Sequence, residues 1–136
     1  MTEFEIGAAL PTFYALYSER FGKKRWGDKT GRYLDNMALI AELLSEACFV
    51  HLVRDGRDVA VSIKELWFGP RSITDAAKRW ADRIRVAREE STRLSNYIEI
   101  RYENLVRESG ATLRKICQFI ELPWEPALLE YDKGAR

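Results

Sequence analysis

Histidine occurs once and cysteine twice in this 136-residue chain. Neither Cys48 nor Cys117 has metal-ligand spacing, so no metal site is expected. Both thiols lie in apolar runs and read as reduced core residues of a cytoplasmic protein. Charge of one sign is not in excess either: 22 Lys and Arg face 21 Asp and Glu, for a net charge of +1. That balance argues against general nucleic-acid binding and means that any anion site depends on local placement of basic groups. No apolar run is long enough to span a membrane, since the longest, residues 48–53, is broken by His51. The N-terminus has no basic stretch followed by an apolar one, so no secretory leader is visible. Internal repeats, low-complexity tracts and long linkers are missing too, which makes residues 1–136 read as one domain.

What is there is globular: 46% hydrophobic and 32% charged residues. Apolar side chains at helical spacing occupy residues 4–20, although Pro11 is placed to break or start a helix. A basic loop covers residues 22–31. Helical patterns follow at residues 33–47, 56–67, 75–94 and 110–120, the third with Thr74 as the expected N-cap. Two short runs, 48–53 and 97–102, read as strands. Strands alternating with helices predict an α/β architecture, a short parallel sheet flanked by helices. Two strands make a poor central sheet, which points to an incomplete domain.

The segment from Phe49 to Ser62 is the most informative. A buried strand leads through a charged turn into a helix, and ligands of open α/β sheets gather at the carboxyl ends of strands. Arg54 stands at that end and Ser62 lies in the next helix. A guanidinium can grip a phosphate with two parallel hydrogen bonds, and a hydroxyl can donate a third. Read without any likeness, Arg54 is a surface residue of a turn and Ser62 bonds its own helix backbone.

These residues resemble the 3′-phosphate-binding signature of sulfotransferases that use 3′-phosphoadenosine 5′-phosphosulfate, in which an Arg at the strand end and a Ser eight residues on hold the donor. Trp26-Gly27-Asp28-Lys29-Thr30-Gly31 is similar to the Gly-Asp-Lys-Thr-Pro motif of the bacterial members, with Gly31 where Pro is usual. The resemblance implies that Lys29 stabilises charge on the leaving phosphate oxygen and that Thr30 adds a hydroxyl contact. Ile100-Arg101-Tyr102-Glu103-Asn104-Leu105 resembles a later strand end of the family. It places Tyr102 near the adenine and leaves Glu103 and Asn104 to organise the turn. The three matches stand in family order between residues 22 and 131.

The family's N-terminal phosphate loop, of the type Pro-Arg/Lys-Ser-Gly-Thr-Thr, has no counterpart here. Its late basic-glycine segment is not evident in residues 132–136. The expectation is therefore an N-terminally incomplete, partial P-loop-like sulfotransferase fold, with an exposed apolar groove beside residues 49–53. Asp28 and Glu65 are weak candidates for a base. His51 reads as a packed core histidine, and residues 67–72 as a helix stop or an acceptor-side loop.

The implied function is sulfuryl transfer from 3′-phosphoadenosine 5′-phosphosulfate to a hydroxyl or amine of a small-molecule, saccharide or peptide acceptor, without a metal. The alternative is a non-catalytic remnant that binds adenosine 3′,5′-bisphosphate or a protein partner. A homo-oligomer is compatible with either. A helical nucleic-acid-binding module built on residues 23–32 is disfavoured by the neutral charge.

Overall fold

The computed structural model describes residues 6–64, 69–70 and 72–133. Glu65 and part of the 67–72 loop lie outside them. The described residues fall into two compact units, those within 6–47 and 86–95, and those within 48–85 and 96–133.

In the first unit, helix α1 (Ile6–Arg20) contains Pro11. Pro11 is its sixth residue, past the first turn, so the helix continues there without the bond that an N–H would have made to the carbonyl four residues back. A 3-10 turn, Gly31–Asp35, leads into helix α2, Met37–Leu43. The single helix expected over 33–47 is thus divided, because Asn36 takes non-helical angles (φ −141°, ψ 23°). Met37, Leu44 and Ala87 are buried in this unit, whereas Phe13, Leu16, Tyr17 and Phe21 of the α1 region remain exposed.

The second unit holds the sheet. Strands β1 (Phe49–Val53) and β2 (Tyr97–Arg101) pair in parallel. The connection between them passes through helices α3 (Gly56–Lys64) and α4 (Ile73–Ser91). Both strands are rich in β-branched and aromatic residues, which pack well on a pleated surface. Helix α4 starts earlier than its pattern implies. Ser72, not Thr74, caps it, accepting the Asp75 N–H at 3.0 Å and donating to the Asp75 carboxylate at 2.8 Å. A hydroxyl three residues before an acidic side chain satisfies one orphan N–H and complements the helix dipole. Helix α5 (Tyr102–Arg107) begins directly at the end of β2, so Tyr102 is helical rather than the last strand residue. Helix α6 (Ser109–Phe119) and a 3-10 segment, Pro126–Lys133, follow.

Cys117 is buried, but Cys48 is exposed, contrary to its apolar surroundings in sequence. It precedes the first strand residue, where the ladder has not yet closed over the chain. His51 is buried, and its Nδ1 shares a hydrogen bond with the Tyr97 hydroxyl at 2.6 Å. That meets the expectation of a packed histidine, since buried polar groups need partners.

One face of the sheet is unevenly covered. Leu52 and Ile100 are partners across the ladder and share that face, yet Ile100 is 4% exposed and Leu52 46%. Val50, on the same side as Leu52, is 40% exposed. The apolar surface expected beside β1 is therefore present. Truncation should read out this asymmetry. Ile100→Ala should cost about 2–5 kcal/mol, as for other buried aliphatic residues, and Leu52→Ala less than half as much. Denaturant melts of the two variants measure the difference.

Candidate anion-binding turn

In the second unit, the ladder pairs residues 48 apart in sequence, Phe49 with Tyr97 through Val53 with Arg101. The same offset continues past the end of the sheet. The Arg54 guanidinium lies over the Tyr102 ring, 5.3 Å from its centroid. The Asp55 N–H donates to Glu103 Oε1 at 2.8 Å. Two motifs far apart in sequence thus meet as an extension of the strand register.

Asp55 is the N-cap of α3. Its carbonyl accepts the Val59 N–H at 3.0 Å and its Oδ1 accepts the Arg57 N–H at 2.8 Å. The Arg57 side chain closes a two-pronged pair on the same carboxylate, at 3.0 and 2.8 Å. Those bonds, led by the Arg57 side chain, hold the Asp55 carboxyl at about 2, below the ordinary carboxylate range. Glu103 is also held low, first by the Asp55 N–H it accepts.

The Arg54 side chain is 43% exposed and pairs with Asp58 at 3.6 Å. A surface ion pair of this kind is weak and readily exchanged for a better anion. Ser62 is exposed on α3, four residues beyond Asp58. Four residues of helix bring it back to the same face, roughly 6 Å further along. Asp58 and Ser62 therefore share one face of α3, and the Arg54 guanidinium, which comes from outside the helix, meets that face at Asp58.

On the other side of the turn, Trp80 of α4 donates its indole N–H to the Arg54 carbonyl at 3.2 Å. The ring lies so close to Gly56 that a Cβ there would stand 2.8 Å from Trp80 Cδ2 and Cε3. Neither Trp80 nor Gly56 stood out in the sequence. Glu103 did, but as an organiser of its own turn rather than of the turn after β1. A Gly directly after the turn acid was the available signal for Trp80. For Glu103 there was none until the register was known.

In the first unit, Lys29 and Thr30 are exposed, and Thr30 sits at the entry of the 3-10 turn, accepting the Tyr33 N–H at 3.1 Å. Between Trp26 and Lys29, Asp28 accepts hydrogen bonds from two phenols, Tyr14 at 3.1 Å and Tyr33. Tyr14 stacks on Trp26 at 3.8 Å between centroids. These phenols, Tyr33 foremost, lower the Asp28 carboxyl, and the Lys29 N–H adds to the effect. A carboxylate so engaged is a poor base, and its contacts tie the loop to α1.

A parallel strand ending in a half-exposed arginine, with a capped helix behind it, defines an α/β domain with a candidate anion-binding turn. The comparisons with known proteins go further. The sulfotransferase family model matches residues 5–126, and the chain belongs to that family. It is 31% identical over 118 residues to an uncharacterized protein of Aquifex aeolicus (strain VF5), covering 80% of this chain and 16% of that protein. It is 28% identical to protein-tyrosine sulfotransferase A of Caenorhabditis elegans and 29% identical to the protein-tyrosine sulfotransferase of Drosophila melanogaster. Each match covers 69% of this chain, with 27% and 20% of the respective relatives. A solved sulfotransferase domain from the curacin biosynthetic pathway superposes with a TM-score of 0.72 at 25% identity, covering 87% of this chain and 46% of that one. The fold is thus a short parallel sheet flanked by helices, of the P-loop-like sulfotransferase type. The chain spans less than half the length of each of these relatives. No described helix is long and apolar enough to cross a membrane.

Two outcomes follow from the turn. Gly56→Ala should cost about 1–3 kcal/mol, because either the helix start or the indole must move. Thermal unfolding measures this. A depressed Asp55 contributes stability that is complete above the ordinary carboxylate value and is lost as pH falls through about 2. An NMR titration should place its midpoint there, and Arg57→Ala should raise it toward the ordinary value.

Proposed function

We propose that the chain carries the nucleotide-gripping part of a sulfotransferase site, taking 3′-phosphoadenosine 5′-phosphosulfate as donor. Arg54 and Ser62 hold the 3′-phosphate. The observation that carries this reading is the Arg54 guanidinium, laid on Tyr102 at the strand end with only a weak surface carboxylate, Asp58, to displace. A phosphate dianion offers a two-pronged partner for the guanidinium and an acceptor for the Ser62 hydroxyl, one turn beyond Asp58 on α3. Tyr102, whose ring is part exposed, lies on the adenosine side.

During transfer the acceptor oxygen or nitrogen bonds to sulfur and gives up its proton to water, while the bond from sulfur to the donor phosphate oxygen breaks. Negative charge then grows on that phosphate, and the product is adenosine 3′,5′-bisphosphate. Lys29 supplies the ammonium that stabilises this charge, with Thr30 adding a hydroxyl. The acceptor is a hydroxyl or amine of a small molecule, saccharide or peptide. Two relatives bear the name protein-tyrosine sulfotransferase, so a phenolic hydroxyl is the first acceptor to test. Because the chain spans 46% of the solved domain, nucleotide binding and turnover are tested separately.

Calorimetric titration with adenosine 3′,5′-bisphosphate measures the grip. Arg54→Ala should weaken binding by at least tenfold, since hydrogen bonds to charged groups contribute about 1.5–3 kcal/mol each. Arg54→Lys should weaken it too, because a point charge lacks the fork. Lys29→Ala should lower turnover more than affinity. Equal binding by wild type and both Arg54 variants would overturn the assignment.

A further inference from the structure

Two of the contacts around Arg54 act on one peptide group. The Arg54 carbonyl accepts the Trp80 indole N–H at 3.2 Å, and the Asp55 N–H donates to Glu103 at 2.8 Å. That C=O and that N–H belong to the same planar unit, whose two polar ends point in opposite directions when the bond is trans; the described chain contains no cis peptide bond. Held at both ends, the plane cannot rotate. Its orientation sets ψ of Arg54 and φ of Asp55, and so the direction in which β1 hands over to α3. The Arg54 side chain leaves from the first of those two residues.

The second contact also replaces a local one. In a capping box, the acid at the third helical position reaches back to the N-cap N–H. That position is Asp58, but its carboxylate faces Arg54 at 3.6 Å. The N-cap N–H is instead taken by Glu103, at the start of α5. A carboxylate in this place accepts the N–H with charge assistance and lies toward the positive end of the α3 dipole. Gly56 completes the arrangement by letting the indole approach.

We propose that Glu103 and Trp80 are positioning residues for the anion grip: by fixing the Arg54–Asp55 peptide plane from opposite ends, they hold the guanidinium where it meets a phosphate. This rests on Arg54 being the phosphate ligand, and the experiment separates the two ideas.

Adenosine 3′,5′-bisphosphate is titrated calorimetrically into wild type, Arg54→Ala, Glu103→Ala, Glu103→Gln and Trp80→Phe. Glu103→Ala should weaken binding about tenfold, the value of one charge-assisted bond. Glu103→Gln should recover most of the loss, because its amide oxygen still accepts the N–H. Trp80→Phe removes the N–H together with part of the ring that packs against Gly56, and should weaken binding about threefold, with a thermal melt showing that the fold is kept. In wild type, the Asp55 amide resonance should move in two steps, one with Glu103 at a midpoint below the ordinary glutamate value and one with the Asp55 carboxyl at about 2, and Glu103→Gln should remove the first step alone.

Wild-type affinity in both Glu103→Ala and Trp80→Phe, with Arg54→Ala impaired, overturns the positioning role and leaves the phosphate ligand standing. If Glu103→Ala does not fold, wild-type affinity in Trp80→Phe overturns it alone. No binding by wild type, or none lost in Arg54→Ala, overturns the phosphate site and this inference with it.

Discussion

The register of a single parallel strand pair is the constraint on which the candidate site depends. With Phe49 opposite Tyr97, every later residue of the first strand meets a partner 48 positions on. This carries Arg54 onto Tyr102 and Asp55 onto Glu103. A slip of β1 by one residue would turn its side chains to the opposite face. It would expose His51 and Val53, now buried, and separate the four turn residues. The burial pattern that stabilises the sheet therefore also aligns the candidate anion-binding turn.

The turn itself is held by polar contacts rather than by a large core. Asp55 caps the helix and anchors Arg57, Glu103 takes the N-cap N–H, and Trp80 takes the carbonyl before it. Backbone groups at helix ends need outside partners, and here those partners come from three different elements. Such a turn is oriented by its neighbours, which suits a site that must present one guanidinium to an anion. The cluster of Tyr14, Trp26, Asp28 and Tyr33 does comparable work in the other unit, restraining the loop that carries Lys29 through stacking and two phenolic hydrogen bonds.

Some surface is left open. Val50 and Leu52 face outward on the sheet, and Phe13, Leu16, Tyr17 and Phe21 do so at α1. The solved sulfotransferase domain is more than twice as long as the part this chain matches. A two-stranded sheet is short for an α/β domain, and its apolar face is correspondingly incompletely covered.

Much of this was legible without coordinates. Alternation of short β-branched runs with helical periodicity gave two strands and their parallel sense, because a long helical connection permits little else. The spacing of Arg54, Ser62, Lys29 and Tyr102 against a familiar pattern pointed to the family that the comparisons established. Where local rules compete, the sequence was less reliable: Thr74 looked like a cap but Ser72 is one, residues 33–47 looked like one helix but Asn36 divides it, and Cys48 looked buried but is exposed. The offset between the strands, the roles of Glu103 and Trp80, and the close approach at Gly56 were decided only in three dimensions. Each depends on groups 24 to 48 residues apart, and a chain's local preferences carry no information about which distant backbone group will meet a given side chain.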